Sequence, residues 1–210
     1  FGKPNVITVR VDATQNEGWF YEGAGIYRHV WLNSYNPVHS SPEEVFIYTK
    51  NIGKQAEMHA EATVHNRETS SQTFQVEWTI LNREKKVIAT HQSANTTFAP
   101  NEKVTVKSNL NIPNAQLWDT EHPYLYTLTT KIISNGKTTD LIHTRFGVRT
   151  FSYQPDGFYL NDKKMKIKGV CVHQDHAGVG TALLDELQYY RIGLLKAMGA
   201  NAYRTAHHPH

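Results

Sequence analysis

The sequence predicts a mainly β chain: an immunoglobulin-like β-sandwich, preceded by the tail of another β unit and followed by a βαβ unit. Three observations support this fold class. Apolar and polar residues alternate along most of the first 150 residues, no helical stretch interrupts them, and after Thr150 the apolar spacing changes to three and four. Alternation is the pattern of strands that bury one face, whereas spacings of three and four mark an amphipathic helix.

The first 36 residues predict two strands, at residues 5–12 and 26–35, joined by a polar loop rich in Trp, Tyr and Gly. Two strands cannot bury a core by themselves. We therefore expect this region to be the end of a β domain whose earlier part is missing.

The sandwich is predicted between residues 37 and 150, where we count six or seven strands in about 110 residues, the size and rhythm of an immunoglobulin-like domain. Asn135-Gly136 lies between two of these strands and is the strongest hairpin signal. The apolar residues that define the three clearest strands are Ala56, Met58, Ala60, Ala62 and Val64, then Phe74, Val76, Trp78 and Ile80, then Tyr126, Leu128 and Ile132.

The last 60 residues predict a strand at 163–173, a helix, and a short strand at 201–205. The helix has its apolar residues at spacings of three and four and ends at Gly199. A strand, a helix and a strand in this order form a parallel βαβ unit by default. One such unit is the beginning of an α/β domain. The apolar residues at these spacings are Leu183, Leu187, Tyr190, Leu194 and Met198. We expect little to cover this apolar face, because only one βαβ unit surrounds the helix.

Composition excludes several classes of protein. A hydrophobic content of 39% and a charged content of 20% argue against disorder. No apolar run approaches the roughly 20 residues that cross a bilayer, so no membrane partner is expected. The net charge of +3 comes from scattered Lys and Arg, which disfavours nucleic acid as a partner. The single cysteine, Cys171, excludes an internal disulfide and fits a periplasmic or a cytoplasmic location equally.

The residues that can carry chemistry follow the two late strands. Parallel strands end at the same edge of a sheet, which is where α/β folds place their sites. We therefore expect this group to converge. Its members are His173, Asp175, His176, Arg204 and His207.

Three interpretations of this group compete. A metal site has suitable imidazole donors, but the spacings match no zinc pattern. A thiol nucleophile would pair Cys171 with His173, two residues apart on one strand face, although free cysteine is usually a small buried residue, and we favour that interpretation. A site for a polar ligand would use the hydrogen-bond donors of Arg204 and the histidines. These residues alone favour equally a structural salt bridge of Arg204, with histidines that only cap the strand ends.

Four segments, in the same order and at similar distances, resemble glycoside hydrolase family 2. The first resembles the end of the sugar-binding jelly roll of that family, the second the end of its immunoglobulin-like domain, the third the entry into its TIM barrel and the fourth its N-x-[IV]-R-[TCS]-[SA]-H-[YN]-P signature. These segments are residues 23–32 (GAGIYRHVWL), 145–149 (RFGVR), 157–161 (GFYLN) with 168–170 (KGV), and 201–209 (NAYRTAHHP).

The resemblance implies three domains and a set of substrate-binding residues. Residues 1–36 would be the last strands of the jelly roll, residues 37–150 the sandwich and residues 151–210 the truncated start of the TIM barrel. His173, Arg204 and His207 correspond to residues that line the sugar pocket in the family. Asp12 corresponds to the Asp that reaches that pocket from the jelly roll in β-galactosidase-like members.

The resemblance also implies an activity for the parent enzyme, and it implies that this chain alone lacks that activity. A family 2 enzyme cleaves terminal β-glycosidic bonds with retention, using two glutamates, and both would lie beyond residue 210. We expect a fragment of a β-galactosidase, inactive by itself and without a metal ligand set; the parent enzyme could use Mg²⁺ or Na⁺ and form a homo-oligomer. The alternatives are a β-glucuronidase, a β-mannosidase, or a non-catalytic carbohydrate-binding or immunoglobulin-like module.

Overall fold

The structure is a computed structural model and describes residues 3–12, 14, 25, 26 and 28–206. The chain divides into two compact units. One unit is Asn33–Ile167, and the other combines Phe1–Leu32 with Lys168–His210.

The strands and helix are the following, in chain order: β1 (Val38–His39), β2 (Val45–Ile52), β3 (Gln55–Asn66), β4 (Gln72–Leu81), β5 (Val87–Gln92), β6 (Thr96–Phe98), β7 (Lys103–Pro113), β8 (Tyr126–Ser134), β9 (Lys137–Phe146), β10 (Phe151–Gln154), β11 (Gly157–Leu160), β12 (Lys163–Met165), β13 (Gly169–Val172), α1 (Asp185–Ala197) and β14 (Ala202–Thr205). A short 3₁₀ helix, Pro42–Glu44, precedes β2.

The first unit contains the predicted immunoglobulin-like sandwich. In one sheet β3 is central and pairs with β1 and β2 on one side and with β7 on the other. In the second sheet β4 and β8 are central, β5 and β6 pair with β4, and β9 pairs with β8. All these pairings are antiparallel. The described residues between Val38 and Phe146 form nine strands rather than six or seven, because β1 and β6 are short additions of two and three residues.

The core of the sandwich is the set of residues that the alternation predicts. From Ala56 in β3, Phe74 in β4 and Tyr126 in β8 onward, every second residue is buried and the residues between them are partly exposed. Trp78 is fully buried, as are Met58 and Phe74 on the same inner faces. Because burial of large apolar side chains is the main favourable term in folding, this core stabilises the unit.

Two hairpins of this unit turn through two residues with positive φ. Asn135 (φ 51°) and Gly136 (φ 72°) join β8 to β9, as predicted from the sequence. Asn161 (φ 49°) and Asp162 (φ 61°) join β11 to β12 in the same way. Asp accepts the left-handed conformation because its side chain is short and polar.

A close contact ties the end of the sandwich to the sheet formed by β10, β11 and β12. A side chain at Gly147 would meet the Cβ of Trp118 at 2.7 Å, so only glycine fits there. The guanidinium of Arg149 lies over the ring of Trp118, 4.8 Å from its centroid. The Asn161 side chain accepts from the N–H of Thr150 (3.0 Å) and donates to the carbonyl of Trp118 (3.0 Å).

The second unit contains the predicted βαβ element. β13 and β14 pair in parallel, and α1 connects them. The strands come so close that a Cβ on Gly169 would lie 3.1 Å from the Cβ of Ala202. Helix α1 ends as predicted at Gly199 (φ 90°), whose N–H donates to Lys196, while the N–H of Ala200 donates to Leu195. This pair of bonds satisfies the last carbonyls of the helix.

The single strand predicted at residues 163–173 is wrong in one respect, since the structure divides it into β12 and β13. β12 pairs with β11 through the hairpin at Asn161-Asp162, whereas β13 pairs with β14. The two halves have different partners, and an unbroken apolar pattern does not reveal that change.

The two N-terminal strands are not found. The described parts of residues 5–12 and 26–35 contain no strand. Apolar side chains there are exposed, including Val6, Trp31 and Leu32, the last at 95%. A strand needs a neighbour for its backbone hydrogen bonds, and the described residues supply none to these segments. The assignment of residues 1–36 to a jelly roll stays a prediction, as do the bounds of the other two domains, 37–150 and 151–210.

Among the described residues no helix is long and apolar enough to cross a membrane. Helix α1 contains no buried residue. Its less exposed stripe consists of Leu187, Gln188, Arg191 and Leu195, whereas Tyr190, Leu194 and Met198 of the predicted apolar face are exposed. The predicted apolar face of the helix is therefore largely exposed, as expected for a helix that only one βαβ unit surrounds.

Candidate functional site

The candidate site lies at the carboxyl ends of β13 and β14. In the parallel register Cys171 is opposite Arg204, and Val172 is opposite Thr205. The N–H of Ala206 donates to the carbonyl of Val172 (3.0 Å), which continues the pairing by one residue. Since His173 directly follows β13, the structure brings His173 and Arg204 to the same edge of the sheet, as the sequence predicts.

The loop after His173 is an ordered turn. The N–H of His176 donates to the carbonyl of Gly180 (2.9 Å), and the N–H of Gly180 donates back to His176 (2.9 Å). Gly178 and Gly180 both have positive φ, 87° and 58°. The ring of His176 donates from Nδ1 to the carbonyl of the next residue, Ala177 (2.8 Å). His176 is thus engaged within its own loop.

Arg191 of α1 reaches back to this loop. Its Nη1 donates to the carbonyl of His173 (2.9 Å), and its Nη2 donates to the carbonyl of Asp175 (2.5 Å). Gln174, between these two residues, is buried, and its Oε1 has no hydrogen-bond partner among the described residues. The sequence reasoning missed Arg191 and Gln174, because a polar residue in a helix or a loop carries no periodic signal.

Cys171 is exposed, which corrects the expectation of a small buried residue. Its thiol and the side chain of Arg204 start from opposed positions of neighbouring strands, so they share one face of the two-stranded sheet. This face is open because both residues are exposed.

Asp12 makes local contacts. Its Oδ1 accepts from the hydroxyl (2.7 Å) and from the N–H (3.1 Å) of Thr14, and its Oδ2 lies 3.8 Å from Nη2 of Arg10. The hydrogen bonds from the side chain and the backbone of Thr14 lower the pKa of Asp12. Asp12 therefore stays ionised at neutral pH and accepts hydrogen bonds only.

Three predicted histidines lie outside the described residues. They are His207, which was assigned to the sugar pocket, and the neighbouring His208 and His210. No cluster of three or more His, Cys, Asp or Glu able to hold a metal occurs in the part of the chain that the structure describes.

Comparison with known proteins identifies the family. Residues 43–149 match the model of glycosyl hydrolases family 2, and residues 152–210 match the model of the TIM barrel domain of that family. The chain belongs to glycosyl hydrolase family 2. The fold class and the recognition drawn from the four sequence segments are therefore confirmed.

Family 2 relatives match almost the entire chain. A β-galactosidase of Bacteroides ovatus is 36% identical over 99% of this chain and 25% of its own length. A β-glucuronidase of Formosa agariphila is 28% identical over 99% of this chain and 24% of its own length. The crystal structure of a family 2 member from Bacteroides cellulosilyticus superposes with a TM-score of 0.88 and 31% identity, covering 95% of this chain and 28% of that one. The chain spans about a quarter of the length of the curated relatives that it matches.

Proposed function

We propose that the whole protein is a retaining glycoside hydrolase that releases a terminal β-linked sugar, and that this sugar is galactose. The observation that carries the proposal is the placement of His173 and Arg204 at one edge of the first parallel strand pair of a family 2 chain. In barrel folds, side chains at the carboxyl ends of the strands form the active site.

The residues at this edge suit a neutral, hydroxyl-rich ligand. An imidazole can donate to one hydroxyl and accept from another, while the Arg204 guanidinium offers a fixed fork of donors to a hydroxyl or to a catalytic carboxylate. Asp12, with its lowered pKa, would accept hydrogen bonds from sugar hydroxyls in the whole protein. We assign His207 to the same pocket by the resemblance of residues 201–209 to the family signature.

Retaining hydrolysis needs two carboxyl groups about 5–5.5 Å apart, a nucleophile and a general acid/base. Asp185 and Glu186 are adjacent, but they lie in the first turn of α1, where Asp185 is 3.6 Å from Nε2 of His29. We propose that both catalytic glutamates belong to sequence outside these 210 residues. The 210-residue chain would then bind at most part of the sugar and would not hydrolyse it.

Glucuronic acid is the second candidate for the released sugar. A named β-glucuronidase matches the same share of the chain, 99%, as the β-galactosidase. Arg204 could pair with the carboxylate of a uronic acid in place of a hydroxyl, since a guanidinium binds carboxylates in a two-pronged geometry.

The test is hydrolysis of nitrophenyl β-galactoside, β-glucuronide and β-mannoside by the full-length protein and by the 210-residue chain. We expect the full-length protein to prefer the galactoside and the 210-residue chain to cleave none. Preference for the glucuronide would assign the uronic acid instead. Hydrolysis by the 210-residue chain would refute the placement of the catalytic carboxylates, and an inactive full-length protein would favour a non-catalytic carbohydrate-binding module.

A further inference from the structure

We propose that Arg191 is the positioning residue for His173: its guanidinium holds the loop after β13 and thereby fixes where the imidazole of His173 stands in the sugar site. The proposal rests on the proposed function, because it assumes that His173 contacts the sugar. It concerns a residue of α1, on an element that no motif of the chain associates with binding.

The contact is a two-pronged one. Nη1 and Nη2 of one guanidinium donate to the carbonyl oxygens of His173 and Asp175, at 2.9 Å and 2.5 Å. The two carbonyls are two residues apart, in a segment with no strand or helix to satisfy them. Backbone carbonyls in such a segment need donors, and the rigid fork of arginine can satisfy two of them with one side chain.

The position of Arg191 on α1 also fits this role. Arg191 lies on the less exposed stripe of the helix, one turn after Leu187 and one turn before Leu195. The apolar residues Tyr190 and Leu194 are exposed instead. Arg191 is partly buried although these apolar neighbours stay in solvent, and this placement agrees with a specific contact of its guanidinium.

The two hydrogen bonds from Arg191, called the clamp below, act on the backbone from which the imidazole of His173 projects. Holding the carbonyl of His173 fixes the peptide plane at the end of β13, and holding the carbonyl of Asp175 as well restricts the backbone torsions of Gln174 and Asp175 between them. The turn closed by His176 and Gly180 then continues from a fixed point. A catalytic site loses on the order of 100-fold in rate when a contacting group is displaced by about 1 Å.

The decisive experiment is a double-mutant cycle in the full-length protein, with kcat and KM measured on the nitrophenyl glycoside that the wild type prefers. Arg191→Met removes the donors at similar length, Arg191→Lys keeps the charge without the fork, and Lys196→Met is the matched control on the exposed side of α1. We expect Arg191→Met to lower kcat/KM by about 100-fold, Arg191→Lys to recover only part of that loss, and Lys196→Met to stay within about twofold.

The cycle is completed with His173→Ala. If Arg191 acts through His173, Arg191→Met should cost less than about threefold in the His173→Ala background, because the group that it positions is already gone. An equal loss in both backgrounds would overturn the proposal, since it would show a general structural role. No loss from Arg191→Met in the wild-type background would overturn it too.

Amide hydrogen exchange separates this proposal from the proposed function. The amides of His176 and Gly180 are hydrogen-bonded in the loop turn. In the full-length protein, Arg191→Met should speed their exchange and Lys196→Met should not, whether or not the protein cleaves any substrate. A wild-type protein that hydrolyses none of the three glycosides refutes the proposed function. Unchanged exchange in Arg191→Met refutes the clamp.

Discussion

The sandwich and the barrel segment of this chain differ in how completely their apolar faces are buried. In β3, β4 and β8 almost every apolar residue of the inner face is buried, whereas α1 has no buried residue. Both regions show a clear hydrophobic period. The difference teaches that the period identifies which face of an element is apolar, while burial depends on a second layer that packs on that face. The sandwich has two complete layers, and α1 accompanies only the pair β13 and β14.

The largest expected effect is the contrast between Trp78 and Tyr189. Trp78 is fully buried in the sandwich, and Tyr189 on α1 is 80% exposed. We expect Trp78→Ala to lower the free energy of unfolding of the 210-residue chain by about 3–5 kcal/mol, because it opens a cavity in a packed core. Tyr189→Ala should change it by less than about 0.5 kcal/mol. Urea unfolding followed by circular dichroism measures both, and similar losses would contradict the comparison.

A smaller effect is expected at the end of the sandwich, where backbone and side chain meet most closely. A methyl group at Gly147 would lie 2.7 Å from Trp118, so Gly147→Ala should displace that ring from below Arg149. We expect a loss of about 1–3 kcal/mol in the same unfolding assay.

Gly53→Ala is the matched control for this change. The added methyl group has no atom within 4 Å, and Gly53 does not require positive φ. The free energy of unfolding should therefore change by less than about 1 kcal/mol. We expect an increase, because alanine lowers the conformational entropy of the unfolded chain. A larger loss at Gly53 than at Gly147 would contradict the role assigned to the contact with Trp118.

The smallest expected effect concerns the pH dependence of the sandwich. Nε2 of His65 lies 2.8 Å and 2.7 Å from the two carboxylate oxygens of Glu44, and Ser41 donates to the same carboxylate (3.2 Å). Burial raises the pKa of Glu44, but these hydrogen bonds and the charges of His65 and Lys103 outweigh it and lower the pKa below the usual 4.5.

The sign follows from this lowered pKa. The stabilisation is complete above the unfolded-state pKa and is lost as the pH falls through the lower folded-state pKa. Glu44→Gln should therefore cost about 1 kcal/mol at pH 7, and the gap from the wild type should close below about pH 4.5. Glu43→Gln is the control for the same loss of charge one residue away. A gap that keeps its pH 7 value at about pH 2 would contradict the assignment.

Sequence reasoning identified the sandwich because each strand carries its own signal. The inner residues of β3, such as Met58, and the turn at Asn135-Gly136 are where the sequence places them. The prediction of two N-terminal strands was wrong although their pattern is equally clear. The described residues supply no partner strand to these segments, and a strand needs one. The break between β12 and β13 was missed because it depends on a change of pairing partner.

The sequence predicted the residues that meet at the candidate site, but not the residue that holds its loop. Parallel strand ends were sufficient to bring His173 and Arg204 together, because the geometry of a βαβ unit fixes their edge. Arg191 was missed because it binds backbone carbonyls, which have no residue identity to read in a sequence.

The most direct test of the account is the activity of the full-length protein with Arg204→Met, compared with Arg83→Met. Arg204 lies at the proposed site edge, whereas Arg83 lies over the ring of Tyr124 in the sandwich. We predict that Arg204→Met lowers kcat/KM on the preferred nitrophenyl glycoside by about 100-fold or more, as expected for loss of a preorganised charged donor. Arg83→Met should keep nearly full activity. Equal activities of the two variants would contradict the claim that this strand edge is the sugar site.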